Sequence, residues 1–177
     1  FGDSTLANGY NRALSSQIRS LGLAYSSVNT INYVTIATTG NAVDFGEMSI
    51  NRGWVGATSS HIRGVIGGGL NPTSLNIIDY IEIATTGNAT DFGDLTSFTG
   101  TLAGSTSNST RGLISGYAPG NNHTEYVTIA TTGNAQDFGD ATVVMQARKG
   151  AASATRALFA SGYSQPTFNV INTIDYF

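Results

Sequence analysis

The feature that most constrains this chain is a ten-residue sequence that occurs three times with one variable position. It reads ATTGNAVDFG at 37–46, ATTGNATDFG at 84–93 and ATTGNAQDFG at 130–139. The isoleucines that precede the three copies, Ile36, Ile83 and Ile129, are spaced by 47 and 46 residues. A fixed period of this length indicates a repeat architecture, in which one supersecondary unit is copied along the chain.

Three further markers share this period and extend the repeat to four copies. Phe-Gly followed by an acid occurs at 1–3, 45–47, 92–94 and 138–140, and a tyrosine-containing strand pattern occurs at 31–34, 78–81, 124–127 and 174–177. An arginine follows each of these phenylalanines by 18 or 19 residues, as Arg19, Arg63, Arg111 and Arg156. The 177 residues therefore predict a single repeat domain with units of about 1–44, 45–91, 92–137 and 138–177.

Each unit is predicted to contain four short strands. Residues 78–84, IDYIEIA, alternate apolar and polar side chains as a half-buried strand does. The Gly-Asn pair that follows predicts a hairpin, because glycine supplies the positive φ of a type II′ turn. We expect positive φ at Gly40, Gly87 and Gly133, with Asp91 on the returning strand. Residues 54–69 predict a second hairpin, which ends in three glycines.

A four-stranded unit with this pattern resembles the blade of a kelch-type β-propeller. The matching pieces are Gly67-Gly68-Gly69, the IDY strand, the TTGNA turn and the aromatic at Phe45, Phe92 and Phe138. The amino-acid sequence of the turn is also similar to sequences in repeat-rich structural proteins of tailed viruses of marine bacteria. The resemblance implies an all-β propeller of four kelch-like blades of about 46 residues. A parallel β-solenoid, whose rungs are usually shorter, is the alternative.

The two ends of the chain correspond to neighbouring strands of one blade. Residues 1–5, FGDST, match an outermost strand, and residues 172–177 match the strand before it. We expect Phe1–Thr5 to pair antiparallel with Ile174–Phe177, within the chain or between copies, so that the N-terminal strand closes the last blade. A fragment of a larger ring and chains joined head to tail are the alternatives.

Composition argues against several classes of function. The net charge is −3 and only 11% of residues are charged, so a nucleic-acid surface of clustered Lys and Arg is not expected. No apolar run approaches the length of a membrane span, so no membrane insertion is expected. The chain has no cysteine, which excludes a thiol nucleophile and the cysteine-modified tyrosine of a galactose-oxidase-type copper site. His61 and His123 lie in non-equivalent loops, so we expect no metal site and no cofactor.

The distribution of acids argues against an enzyme. Ten of the eleven occupy positions that recur between blades, and only Glu82 falls outside this pattern. A catalytic centre breaks the symmetry of a ring, whereas a residue present in every blade generally serves the blade. A propeller-fold glycosidase or lyase is the alternative, and it would need an acid pair unique to one blade. For the repeated arginines we expect bonds to carboxylates or loop carbonyls, with an anion-binding ring as the alternative.

Residues that differ between blades fall in loops predicted to share one propeller face. The candidate ligand-binding residues are Tyr10, Arg12, Arg52, Trp54, Asn71, Asn122, His123 and Arg148, the last followed by Lys149. Tryptophan beside Asn and Arg is typical of sugar stacking or of a protein hot spot, and packing against the next blade is the alternative. We therefore predict a non-catalytic binding or structural module of an extracellular or virion-surface assembly, such as a fibre or appendage. It would recognise glycan or protein as a homo-oligomer or as part of a larger assembly.

Overall fold

The computed structural model describes residues 2–5, 12–23, 28–97, 101–117, 122–164 and 166–177. All regular secondary structure in these residues is β-strand, and the strands form four antiparallel sheets of four strands each. Within the described residues there is no helix that could span a membrane. The all-β class predicted from the repeat is confirmed.

In the first three sheets the strands pair in chain order. The first sheet contains β1 (Arg12–Ser15), β2 (Arg19–Leu23), β3 (Thr30–Thr35) and β4 (Val43–Glu47). The second contains β5 (Gly56–Ser59), β6 (Arg63–Gly67), β7 (Ile77–Glu82) and β8 (Thr90–Asp94). The third contains β9 (Thr101–Ser107), β10 (Arg111–Tyr117), β11 (His123–Thr128) and β12 (Gln136–Asp140).

The fourth sheet is built differently. Its strands are β13 (Met145–Gln146), β14 (Lys149–Ala152), β15 (Ala157–Ser164) and β16 (Val170–Tyr176). Both β13 and β14 pair with β15, and β16 pairs with the other edge of β15. The two short strands form one inner strand interrupted near Ala147, where φ is 62°. The position outside β16, which β4, β8 and β12 fill in their own sheets, is taken by none of the described residues.

The four sheets are the blades of a β-propeller, and a β-solenoid is therefore excluded. Apolar clusters fill the interfaces between successive blades, and each cluster joins one blade to the next. In the first interface Leu21 and Phe45 of the first blade pack with Ile66 and Ile81 of the second. Equivalent clusters join the second blade to the third and the third to the fourth. Inner strands of all four blades line a common axial cavity.

The Gly-Asn-Ala segment joins the second and third blades to the blade before each of them. Gly87 N–H donates to the Phe45 carbonyl at 2.8 Å, and Ala89 N–H donates to the Glu47 carbonyl at 2.7 Å. The Asn88 side-chain oxygen accepts from Glu47 N–H at 3.1 Å. We call this set of three bonds between Gly-Asn-Ala and Phe-Gly-acid the latch. The same latch joins the second and third blades through Phe92, Asp94, Gly133, Asn134 and Ala135.

The latch corrects the predicted role of the Gly-Asn pair. The chain reverses earlier, where Thr85 N–H donates to the Glu82 carbonyl at 3.2 Å, and seven residues separate β7 from β8. The two-residue type II′ hairpin is therefore wrong. The positive φ predicted for the repeated glycines is confirmed, with 147° at Gly40, 158° at Gly87 and 151° at Gly133. Glycine is retained because this backbone conformation presents the latch donors, not because it makes the turn.

The repeated arginines stack on the tyrosine of their own blade. The guanidinium carbons lie 4.4–5.5 Å from the ring centroids in the pairs Arg19–Tyr33, Arg63–Tyr80, Arg111–Tyr126 and Arg156–Tyr176. Arg19 also donates to the Ile83 carbonyl at 2.8 Å, and Arg63 donates to the Ile129 carbonyl at 3.2 Å. Each of these two bonds crosses to the next blade, so the arginine stabilises both its own blade and the interface.

The prediction that Phe1–Thr5 closes the fourth blade within the chain is wrong for the described residues 2–5. These residues form no strand, and β16 pairs only with β15. The segment instead lies on the first blade, where Asp3 N–H donates to the Asn41 side chain at 3.0 Å and Ala42 N–H donates to the Asp3 carbonyl at 2.9 Å. It thus occupies the latch of the first blade, as an outer strand of a preceding blade would. Matching strand patterns do not determine where each blade lies, and within the described residues this segment bonds to the first blade and not to β16.

Candidate binding site at the propeller axis

The topology places the beginnings of the inner strands around the axis, on the face that carries the variable loops. Arg12 and Lys149 begin β1 and β14 and lie seven residues before a repeated arginine. Glycines occupy the equivalent positions in the other two blades, as Gly56 and Gly104. The axial cavity has a volume of about 170 Å³. Its lining consists of Arg12, Ala13, Ala57, Ala103, Ser105, Arg148, Lys149 and Gly150.

Arg12 contributes a half-buried cation to this cavity. Its Nε donates to the Val55 carbonyl at 3.3 Å, while its Nη2 is buried without a hydrogen-bond partner among the described residues. Burial lowers the pKa of Arg12 below its ordinary value. A buried donor without a partner costs free energy, and a bound acceptor would recover it.

Lys149 contributes the second cation. Its side chain is more exposed than that of Arg12, and its pKa is lowered first by desolvation and then by the positive charge of Arg12. No ion pair within the described residues involves either group. Two like charges that interact without an acid between them create a positive potential that favours an anion.

Arg148, a predicted ligand residue in the same cavity, has its charge compensated. Its side chain is buried and forms an ion pair with Asp175, and it donates to Ser115 Oγ at 3.3 Å. Its guanidinium carbon also lies 5.3 Å from the centroid of the Phe159 ring. Burial lowers the pKa of Arg148, and the Asp175 carboxylate opposes that shift. Arg148 therefore forms a wall of the cavity, and the charge open to a ligand is that of its neighbour Lys149.

Arg52, Trp54 and Asn71 are brought together in two adjoining loops of the second blade. Arg52 is fully buried and pairs with Asp79 at 3.0 Å, so its charge is also compensated. The Asn71 side-chain amide donates to the Asn51 carbonyl, which ties the two loops together. Trp54 is half-buried with a φ of 59°, a conformation that costs free energy in a non-glycine residue.

The remaining predicted ligand residues lie apart from this group. In the third blade, His123 Nδ1 lies 2.7 Å from an Asp140 carboxylate oxygen, and both side chains are exposed. The Asn122 side chain donates to the Ala141 carbonyl. The first contact is a cross-strand pair between β11 and β12, and the second joins the loop before β11 to the segment after β12. Tyr10 lies outside the described residues.

Sequence reasoning missed an aromatic group in the fourth blade. Tyr163 and Phe168 are 43% and 61% exposed, and Val170 beside them is 77% exposed. Phe168 has a φ of 55°, so it shares with Trp54 the combination of aromatic side chain and left-handed backbone. The signal available in the sequence was Phe168, an aromatic in the loop 164–169, SQPTFN, at a position that differs between blades.

The buried acids bond to the segments that connect one blade to the next. Asp79 accepts from the Ser49 hydroxyl at 2.8 Å, and Asp175 accepts from the Thr142 hydroxyl at 2.6 Å. Glu125 likewise accepts from the Ser97 hydroxyl at 2.6 Å. Asp91 is exposed on β8. No group of His, Cys, Asp and Glu suited to a metal ion occurs in the ranges that the structure describes.

No protein-family model matches the chain, and no curated protein matches it significantly.

Proposed function

We propose that this chain is a non-catalytic binding module that recognises an anionic group of a glycan or protein at the axial cavity. The observation that carries the proposal is the pair Arg12 and Lys149, two cations that line one cavity and have no acidic partner among the described residues. A carboxylate or sulfate between them would relieve their repulsion and accept from Arg12 Nη2. The aromatic residues Trp54, Tyr163 and Phe168 would add contacts to the rest of the ligand.

The placement of the acids supports a binding role over a catalytic one. Among the described residues no acid lines the axial cavity, whereas glycoside hydrolysis needs a pair of carboxyl groups that flank the substrate bond. The buried acids Asp79, Glu125 and Asp175 are hydrogen-bonded to connecting segments, one in each of three blades. Resemblance to repeat-rich virion proteins suggests an extracellular or virion-surface assembly as the setting.

Binding of a sulfated tetrasaccharide and of a neutral tetrasaccharide of equal length tests the proposal. We expect the sulfated probe to bind and its affinity to fall with added salt, because the cations are partly exposed. Arg12→Gln and Lys149→Gln should each weaken binding about tenfold, which corresponds to ~1.4 kcal/mol.

Arg111→Gln is the matched control. It removes the same charge from an exposed arginine that stacks on Tyr126 and is not among the described residues that line the cavity. This variant should bind as the wild type does. Equal binding of both tetrasaccharides, or equal affinity of the wild type and both axial variants, would contradict the proposal.

A further inference from the structure

The fourth blade exposes an apolar face that is buried in the other blades. Leu158, Ile174 and Tyr176 are 46%, 64% and 70% exposed. Their counterparts in the second blade are Val65, Ile78 and Tyr80, of which the first two have no exposed surface. We call the surface formed by Leu158, Ile174 and Tyr176 the forward face of the fourth blade, because its counterparts pack on the blade that follows.

The first blade exposes the opposite half of such an interface. Ile36 is 43% exposed, whereas its counterparts Ile83 and Ile129 are each 1% exposed against the blade before them. A Cβ built on Gly22 would have no neighbour within 4 Å among the residues that the structure describes. A cavity of about 240 Å³ lies here, lined in part by Gly22, Val34 and Ala42. These four residues, Gly22, Val34, Ile36 and Ala42, define the rear face of the first blade.

A segment that lies where the outer strand of a preceding blade would lie already contacts this rear face. Gly2–Thr5 carries the latch bonds to Asn41 and Ala42, and the Thr5 hydroxyl donates to the Asn32 side chain at 2.7 Å. Asn32 is the counterpart of Asp79, which accepts from the Ser49 hydroxyl in the segment after β4. The N-terminal segment is thus held as the other outer strands and their connectors are held. In such an assembly Gly2–Thr5 would pair with the outer edge of β16, which has no partner among the described residues.

We propose that the forward face of the fourth blade binds the rear face of the first blade in a second copy of this chain. The three interfaces within the chain provide the pattern, since each joins a forward face to a rear face and two of them include a latch. Within the described residues, no apolar cluster joins the first blade to the fourth. The two faces are therefore not packed against each other in the residues that the structure describes, and a second copy would supply a partner for each face.

The paired surfaces have complementary chemistry. The edge of β16 would bond to Gly2–Thr5 of the other copy, which satisfies backbone groups along both segments. Arg156 would donate to the Ile36 carbonyl of the other copy, as Arg19 donates to the Ile83 carbonyl within the chain. Such contacts are heterologous, so each copy keeps one forward face and one rear face for further growth into a ring or a filament.

Sedimentation of the full chain and three variants tests the proposal. Ile174→Asp places a charge on the forward face and Ile36→Asp places one on the rear face. Ile62→Asp is the matched control, because Ile62 is 54% exposed in the turn before β6 and belongs to neither face. All three side chains are exposed, so the variants should keep the wild-type circular dichroism and unfolding temperature.

The wild type and Ile62→Asp should form species larger than one chain, in a proportion that rises with concentration. Ile174→Asp and Ile36→Asp should each stay at the mass of one chain. An equimolar mixture of these two should form a species of twice that mass and no larger, because it offers one intact forward face and one intact rear face. A wild type that stays monomeric up to its solubility limit, or a mixture that stays monomeric, would overturn the proposal.

Discussion

At the scale of single residues, two glycines, Gly93 and Gly22, differ in what holds them. Gly93 has a φ of 144°, and a Cβ built there would lie 2.6 Å from the backbone carbonyl group of Gly133 in the next blade. Gly22 has no such neighbour and no positive φ. The sequence shows that Gly93 recurs in the repeat and that Gly22 does not, but only the structure separates a close backbone approach from an open groove.

Alanine substitution at these two glycines tests the distinction. Gly93→Ala should lower the free energy of unfolding by more than about 1 kcal/mol, because it adds a clash with backbone to an unfavourable φ. Gly22→Ala should leave stability unchanged or raise it by up to about 1 kcal/mol, since the unfolded chain loses entropy. Urea denaturation of both variants measures the difference. Equal stabilities would show that the close approach of Gly93 to Gly133 does not constrain the residue.

At the scale of elements, the latch explains why ten residues recur almost unchanged. The period, the alternation of apolar residues and the glycine conformation could all be predicted from sequence, because each depends on local patterns. The partner of Asn88 could not, because Glu47 lies 41 residues earlier and in another blade. The same limit applies to the chain ends, where matching strand patterns were visible but the angle between blades was not.

Two asparagines in equivalent latches should differ in their effect on stability. Asn88→Ala removes a bond between two complete blades and should destabilise the fold by about 1 kcal/mol. Asn41→Ala removes the equivalent bond to Asp3 and should release Gly2–Thr5 with a smaller effect on global unfolding. Amide hydrogen exchange at Glu47 and Asp3 reports the two latches separately. Loss of protection at Asp3 after Asn88→Ala, with Glu47 unchanged, would contradict the assigned partners.

At the scale of the whole molecule, four blades place cations from the two ends of the chain at one axis. The sequence indicated Arg12 and Arg148 as loop residues, because both differ from their counterparts in other blades. It could not indicate that Arg148 is neutralised by Asp175, or that Lys149 interacts with Arg12 from the far end of the chain. Those relationships follow from the radial arrangement, which sets residues distant in sequence around a shared cavity.

The axial charge also has a consequence for stability. The pKa of Lys149 is lower in the folded chain than its ordinary value of 10.5. At a pH between the folded and the ordinary pKa, Lys149 is therefore more fully protonated in the unfolded chain than in the folded chain. The contribution of Lys149 to stability therefore rises with pH through that window, and it is least favourable below the folded pKa. A bound anion would raise the folded pKa and reduce this dependence.

The pKa of Lys149 tests the central claim, that the axis holds an uncompensated pair of cations, most directly. Lys149 is the only lysine in the chain, so one side-chain NMR signal reports it without assignment by mutation. We predict a pKa below 10.5 in the wild type, a rise toward that value in Arg12→Gln, and a rise when sodium sulfate is added at constant ionic strength. A wild-type pKa at or above 10.5 that neither Arg12→Gln nor sulfate changes would contradict the account.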